Sequence, residues 1–243
     1  MKADSLSLDK LNRKSPTEKR QEAGKHRRAL IRGRQLIALG IVLLALFGML
    51  TAAVLLLNPL VLDVPITREV QEVNLGPLDF LMRAVSAPGF WPWNGIFPVV
   101  IIVVLALFKR VVEAAFLALA SIATSLAEVV KVLVHRGRPS ADLVKVIGHP
   151  NTFSFPSGHV TQYVLFFGFS FYLAFTLMKP GVPRTLILAF SAAMVLLVGV
   201  SRIYMGQHWA SDVLGGYTLG FGLLLLIIWG YRAWEERSVK RKT

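Results

Sequence analysis

Cysteine is absent from this 243-residue chain, and acidic residues are few. Without cysteine, no disulfide, thiolate metal site or thiol redox chemistry is available. Lys and Arg number 27 against 14 Asp and Glu, which gives a formal net charge of +13. Charged residues make up only 17% of the chain, whereas hydrophobic residues make up 54%. This composition is too apolar for an ordinary water-soluble domain and indicates a protein of the lipid bilayer.

The positive charge lies mainly at the two ends of the chain. Residues 1–34 contain eleven Lys or Arg against four acids, and a second basic cluster fills the last dozen residues. Because no basic face with interleaved aromatics appears on a soluble module, we expect no nucleic-acid partner. We predict three regions, namely a basic, disordered cytoplasmic tail over 1–34, a membrane domain over 35–232 and a basic cytoplasmic tail over 233–243.

Six apolar runs predict membrane-spanning helices, because a hydrocarbon core of about 30 Å needs roughly 20 helical residues. The second run is short and contains Pro98, so a re-entrant segment is the alternative there. A stretch before it has apolar residues at helical spacing, which fits either a surface helix or a packed loop. The predicted fold class is all-α, a bundle of six transmembrane helices. The six runs are Leu36 to Leu57, Gly95 to Phe108, Val111 to Val134, Val160 to Met178, Thr185 to Val200 and Asp212 to Tyr231, and the surface stretch is Leu75 to Val85.

Loop charges predict the orientation of the bundle. Lys109, Arg110, Lys179 and Arg184 lie in the loops on the same side as the basic N-terminus. Positive loops stay inside, so that side and both termini are predicted to be cytoplasmic. The expected location is the cell (plasma) membrane, with the other loops on the extracytoplasmic face.

Cations in two of these outer loops violate the positive-inside rule. They lie within or beside 135–159 and 201–212. A cation near an external helix end needs a local reason, and a bound anion supplies one. The residues concerned fall in three clusters, which read Lys131-Val-Leu-Val-His-Arg-Gly-Arg138-Pro139, Pro156-Ser157-Gly158-His159, and Ser201-Arg202-Ile-Tyr-Met-Gly-Gln-His208-Trp-Ala-Ser-Asp212.

The clusters contain the groups that bind phosphate. Phosphoryl transfer needs positive charge on the phosphate oxygens, an aligned nucleophile and a proton for the leaving group. Lys131, Arg138 and Arg202 supply three cations. Ser157 and Gly158 directly precede an apolar run, so we expect their backbone N–H groups at a helix N-terminus, where anions are favoured.

Histidine and aspartate complete the set. His208 and Asp212 are four residues apart, so on a helix they share a face and the carboxylate can hold one imidazole nitrogen protonated. The alternative is a metal site, such as zinc, formed by these two residues and His159. Three neighbouring cations oppose a divalent ion, so no metal and no cofactor are expected. Arg136 is interpreted as a cation that snorkels to the interface, and Glu128 as a helix-packing partner of Lys131 or a residue that orients it.

At every fixed position the three clusters resemble the motifs K-x6-R-P, P-S-G-H and S-R-x5-H-x3-D of the type 2 phosphatidic acid phosphatase family. The resemblance extends over roughly residues 36–232. It implies a membrane phosphatase in which His208 is the nucleophile and becomes a phosphohistidine. It further implies that His159 is the general acid and that Asp212 orients the nucleophile.

A phosphate site at the outer ends of membrane helices is reached most easily by a headgroup whose tail stays in the bilayer. A lipid phosphate in the bilayer is therefore the expected partner. The resembling family acts on phosphatidic acid, phosphatidylglycerol phosphate, diacylglycerol pyrophosphate and polyprenyl diphosphates such as undecaprenyl diphosphate. The compact six-span form favours phosphatidylglycerol phosphate or a polyprenyl diphosphate. Two alternatives stay open, namely a lipid phosphotransferase with the same intermediate and a non-catalytic phospholipid-binding or transport module.

Overall fold

The computed structural model describes residues 16–73, 76–148 and 151–241, and their side chains from residue 33 onward. All regular structure in these ranges is helical, as the sequence predicts. A 3-10 turn, Ala87–Gly89, follows the third helix. In chain order the helices are α1 (Pro16–Leu56), α2 (Asp63–Glu72), α3 (Gly76–Ser86), α4 (Trp93–Leu107), α5 (Val111–Ala123), α6 (Ser125–Val134), α7 (Gly158–Leu177), α8 (Val182–Tyr204) and α9 (Ala210–Lys240).

Five segments of the described chain are each long and apolar enough to cross a membrane. A sixth span results if α3 and its 3-10 turn, Gly76–Gly89, are taken together with α4. The two parts of this pair meet at an angle of 61°, so the short second run belongs to a bent segment. The molecule is an all-α membrane bundle. The five straight segments are Gly33–Leu56, Val111–Val134, Gly158–Leu177, Val182–Tyr204 and Ala210–Lys240.

The chain between the first two predicted spans is more helical than a packed loop would be. Of the two alternatives for Leu75 to Val85, the structure has a helix, α3, although Leu75 itself lies outside the described residues. Residues 16–34, which the sequence placed in a disordered tail, lie in α1, which begins at Pro16. Proline is favoured in a first helical turn, and the six residues 18–23 are strong helix formers. Residues 1–15 lie outside the described part of the chain.

Helix α7 lies at the centre of the bundle and packs against α5, α8 and α9. Small residues on α9 allow the closest of these approaches. A methyl group on Gly216 would lie 2.8 Å from the backbone oxygen of Ser157 and 2.8 Å from Cβ of Val160. Gly220 meets Val164 in the same way one turn later. The start of α7, which carries the Pro-Ser-Gly-His cluster, is thereby held against the first turns of α9.

Two backbone turns end the helices that lead into the candidate site. His135 adopts a left-handed conformation with φ of 53° and ends α6, so that the chain turns directly into the segment with Arg136 and Arg138. Such a conformation is uncommon for a residue other than glycine. Gly206 has φ of 62° in the short connection from α8 to α9, where a side chain would collide with the backbone oxygen of Lys145. This tight turn brings His208 back beside the end of α8.

We predict that Gly216→Ala lowers the free energy of unfolding by about 1–3 kcal/mol, because the added methyl group overpacks the contact between α7 and α9. Gly48→Ala on α1 is the matched control, since a methyl group added there would have no described atom within 4 Å. The control should be neutral or slightly stabilising, as alanine favours helix over glycine. Thermal unfolding in detergent measures both, and equal melting temperatures for the two variants would contradict the packing described.

Candidate active site

The three sequence clusters meet in one cavity of about 460 Å³ at the predicted outer end of the bundle. Loops and the ends of α6, α7 and α8 contribute to its walls. Ser157 and Asp212 are fully buried beside it. Among the residues proposed from the sequence, those that line the cavity are Lys131, Arg138, Gly158, His159, Arg202 and His208.

His208 is buried between two charged groups. Its Nδ1 lies 3.5 Å from Oδ2 of Asp212, at the outer limit of a hydrogen bond, and its Nε2 lies 3.3 Å from Nη1 of Arg138. The ring therefore turns Nδ1 to the carboxylate and Nε2 to the cations. Burial, reinforced by the charges of Arg138, Arg202 and Lys131, holds the pKa of His208 well below its usual range. The imidazole is thus neutral near pH 7, and with its proton on Nδ1 the Nε2 lone pair faces the Arg138 guanidinium.

Asp212, which lies beside His208, is held in place by hydrogen bonds to both of its carboxylate oxygens. Its Oδ2 accepts a 2.8 Å hydrogen bond from the backbone N–H of Trp209, which closes the first turn of α9. Its Oδ1 accepts a short hydrogen bond from Arg136. The four-residue spacing of His208 and Asp212 does place them together, although His208 precedes the helix rather than sharing its face.

His159 lies in the first turn of α7, and its Nε2 is buried with no hydrogen-bond partner in the described ranges. Phe90 packs edge-on against the imidazole at a centroid distance of 4.6 Å. A side chain at Gly89 would collide with the ring. The bend between α3 and α4 therefore forms one wall of the site, and this wall was not predicted from the sequence.

Two cations, Lys131 and Arg202, project into the cavity from helix ends. Both are nearly fully buried, with 6% and 1% of their surface exposed. Lys131 donates a 2.7 Å hydrogen bond to Glu128, as the sequence predicted for this pair. The guanidinium of Arg202 donates to Ser86 and Gln207, and its Nε has no partner among the residues described.

Arg138 is held by the backbone around the cavity. Its guanidinium donates to the carbonyl oxygens of Thr152, Phe153 and Gln207 and to the Thr152 hydroxyl. Burial lowers the pKa of Arg138 from its usual range, but an arginine remains charged near neutral pH. Arg138 thus presents a fixed positive charge beside Nε2 of His208.

At the start of α7, the backbone N–H of Ser157 does not point into the cavity as the free donor that the sequence predicted. The backbone N–H of Ser157 donates a 3.0 Å hydrogen bond to the carbonyl oxygen of Asp212, so it is not free to bind phosphate. Its hydroxyl is buried and has no hydrogen-bond partner in the part of the chain that is described. Gly158 does line the cavity, and a methyl group there would lie 2.7 Å from Glu128 and 3.0 Å from the Lys131 nitrogen.

Arg136 is the main residue that sequence reasoning misplaced. It does not snorkel to the interface, because only 1% of its surface is exposed. Its guanidinium forms ion pairs with both Asp212 and Asp63, and it donates hydrogen bonds to Asn58 and Ser211. Asp63 in turn accepts hydrogen bonds of 3.0 and 2.7 Å from the backbone N–H and hydroxyl of Ser211. The position of Arg136 between Lys131 and Arg138 of the first cluster indicates a role, but no local pattern links Arg136 to Asp63.

Metal ligands are not grouped in the described residues, where no three His, Cys, Asp or Glu side chains are placed to share an ion. The charged groups that do converge are cations, which suit an anion.

Comparison with known proteins identifies the family. The profile described as PAP2 superfamily matches residues 111–236, which include all three clusters. The chain belongs to the PAP2 superfamily. Within the matched PAP2 region lie α5 to α8 and most of α9, so this region contains every proposed cavity residue of the three clusters.

One PAP2 relative is phosphatidylglycerophosphatase B of Bacillus subtilis (strain 168), with 31% identity over 115 residues. The match spans 47% of this chain and about half, 53%, of the relative. A transmembrane PAP2 type phosphatidylglycerolphosphate phosphatase from Bacillus subtilis has a similar crystal structure, with a TM-score of 0.68, 24% identity and coverage of 82% of this chain and 96% of that one. LpxE of Aquifex aeolicus has a TM-score of 0.52, 22% identity and coverage of 70% and 98%. At these identities the two structures show a shared fold.

We predict that Arg136→Gln destabilises the protein by about 3–5 kcal/mol, because it leaves two buried carboxylates without their counter-charge. Thermal unfolding in detergent measures the loss. The double variant Arg136→Gln with Asp63→Asn is the control, since it also removes one of the stranded charges and should recover part of the stability. A single variant that unfolds at the wild-type temperature would contradict the role given to Arg136.

Proposed function

We propose that this PAP2 protein is a metal-independent phosphatase that hydrolyses a lipid phosphate through a phosphohistidine intermediate on His208. The observation that carries the proposal is the convergence of Lys131, Arg138 and Arg202 with two histidines in one cavity. Three cations around a phosphate stabilise the charge of its equatorial oxygens, which is the main requirement of phosphoryl transfer. The named relative and the similar PAP2 structure are phosphatases of phosphatidylglycerol phosphate, which supports this reaction class.

In the proposed first step, the phosphate displaces Glu128 as the partner of Lys131 and lies among the three cations. Nε2 of His208 attacks phosphorus as the bond to the leaving oxygen breaks. His159 donates a proton to that oxygen, so the lipid leaves as an alcohol or, from a diphosphate, as a monophosphate. Asp212 stabilises the positive charge that His208 acquires, as an orienting carboxylate does in covalent catalysis.

In the proposed second step, water attacks the phosphohistidine. His159, now unprotonated, accepts a proton from this water, while the phosphorus–nitrogen bond breaks and inorganic phosphate leaves. Both histidines return to their starting states, so the cycle consumes one water and one phosphate ester. An alcohol in place of water would give phosphotransfer with the same intermediate.

We further propose that this site faces the extracytoplasmic side of the cell membrane and that residues 35–232 form the catalytic domain. The charges support this orientation, because Lys109, Arg110 and Lys179 lie in connections opposite the site and Arg184 lies in the first turn of α8 at the same end. A lipid in the outer leaflet then reaches the cavity with its tail still in the bilayer.

Phosphate release by purified protein in detergent with excess EDTA tests the proposed reaction. The panel contains phosphatidic acid, phosphatidylglycerol phosphate and undecaprenyl diphosphate. Wild-type protein should release phosphate, whereas His208→Ala should lose at least about 10³-fold in kcat, since it lacks the nucleophile. Lys240→Ala in the C-terminal segment is the control and should retain activity. Release abolished by EDTA and restored by one metal, or release by His208→Ala at the wild-type rate, would overturn the mechanism.

The pH profile tests the protonation state of the nucleophile. His208 must be neutral to attack, and burial with nearby cations holds its pKa well below 6.5. Protonation of His208 should therefore lower kcat/KM only on the acidic side, in a limb centred below pH 6.5. Stopped assays across roughly pH 4.5–8 measure this limb. An acidic decline centred above pH 6.5 would contradict the environment described for His208.

A further inference from the structure

A second set of polar side chains lines the same cavity as the cations. Ser121, Thr124 and Ser125 lie at helical spacing before Glu128 and Lys131, so they share one face of the span formed by α5 and α6. Neighbouring helices add two further polar side chains to the cavity. We define the polar wall as Asn94, Ser121, Thr124, Ser125 and Gln162.

Two atoms of the polar wall lack the partners that buried polar groups require. Oδ1 of Asn94 and Oγ1 of Thr124 are both buried, and neither has a hydrogen-bond partner within the described residues. Gln162 donates a 2.9 Å hydrogen bond to the backbone oxygen of Asn94, which fixes that residue in place. Ser121 donates to the backbone oxygen of Leu117 and so is satisfied within its own helix. Orphaned buried groups in a native cavity call for a ligand or solvent partner.

The wall lies close to the phosphate-binding cations. Thr124 precedes Glu128 by four residues, or about 6 Å along a helix. Glu128 is in direct contact with the nitrogen of Lys131 at 2.7 Å. Thr124 and Lys131 line the same cavity, so a headgroup attached to a phosphate at Lys131 has Thr124 in the wall beside it.

A separate apolar cavity lies beyond the polar wall. Pro98 and Gln162 also line a narrow gap that includes Phe166 and Phe167. Those two phenylalanines in turn line an apolar cavity of about 640 Å³ between α4, α7 and α8. Along α6 and α5 the cation Lys131, the polar wall and the apolar cavity at Leu117 thus follow one another, which suits a lipid whose phosphate lies at the cations and whose tail lies in the apolar cavity.

We propose that the polar wall is a headgroup subsite that recognises a free hydroxyl on the alcohol bearing the scissile phosphate. Asn94 accepts a hydrogen bond from this hydroxyl, and Thr124 forms a second one with it. A phosphate attached directly to a prenyl chain or to diacylglycerol offers no such hydroxyl and leaves both atoms unpaired. This inference rests on the proposed phosphatase function and narrows its substrates to lipid phosphates with a hydroxylated headgroup.

Two matched lipids test the subsite, namely phosphatidylglycerol phosphate and an analogue in which propanediol replaces the headgroup glycerol. The two differ only in one hydroxyl. Wild-type protein should favour the hydroxylated lipid by about 10-fold or more in kcat/KM, because the analogue leaves buried polar groups unpaired. Glycerol 3-phosphate, which has hydroxyls but no tail, should be a poorer substrate than the lipid, and the reverse would overturn the lipid assignment.

Variants at Thr124 separate recognition from structure. In Thr124→Val the ratio of the two kcat/KM values should fall towards one, whereas Thr124→Ser keeps the hydroxyl and should keep most of the ratio. Thr176→Val makes the same replacement on α7 outside the cavity and should retain the wild-type ratio. Asn94→Leu is a second, independent variant that should also lower the ratio, and thermal unfolding in detergent checks that each variant folds.

The possible failures are distinguishable. Equal hydrolysis of the two lipids by wild-type protein would overturn the subsite but not the proposed phosphatase function. An unchanged ratio in both Thr124→Val and Asn94→Leu would overturn the roles of these residues. Absence of phosphate release from every substrate would overturn the proposed function together with the subsite.

Discussion

Arg136 has almost no exposed surface and lies between Asp63 and Asp212, two carboxylates that come from distant parts of the chain. A buried charge is tolerated only when it is paired and hydrogen-bonded, so this cluster fixes its surroundings. It joins α2, the loop after α6 and the first turn of α9. The hydrogen bonds from Ser211 to Asp63 tighten the same junction. The position of Asp212, and hence of His208, depends on it.

The electrostatics of the cavity follow from that arrangement. Asp212 and Asp63 share the counter-charge of Arg136, and Arg138 lies on the other side of His208 from Asp212. Lys131, Arg138 and Arg202 remain available for an anion and together disfavour protonation of His208. The same charges that attract a phosphate therefore keep the proposed nucleophile neutral. Phosphoryl transfer needs both conditions at once.

Sequence patterns predicted the parts of this site that depend on helix ends. Loop charges and the lengths of apolar runs placed Lys131, His159, Arg202 and Asp212 at one face of the bundle, and the structure brings them to one cavity or its immediate border. The cations that break the positive-inside rule predicted the site, because a charged side chain near an external helix end is unfavourable unless a partner such as a bound anion is present.

The other parts of the site depend on contacts between distant residues, which no local sequence pattern predicts. Asp63 pairs with Arg136 across loops of irregular structure, and both residues alone look like ordinary interfacial charges. The wall formed by Gly89 and Phe90 arises from the 61° bend between α3 and α4, whereas hydropathy reports only a short apolar run. The amide of Ser157 looked free at a helix N-terminus, but its hydrogen bond to Asp212 depends on how α7 packs against α9.

The most direct test of the account is to trap the covalent intermediate. Protein mixed with a lipid labelled in the scissile phosphate is quenched in alkaline detergent, since phosphohistidine is labile in acid, and the labelled residue is located by mass spectrometry. The account predicts label on His208 in wild-type protein and in His159→Ala, in which both formation and hydrolysis of the intermediate are slowed, and none in His208→Ala. Label on another residue, or turnover by wild-type protein with no labelled protein in either His159→Ala or wild type, would contradict it.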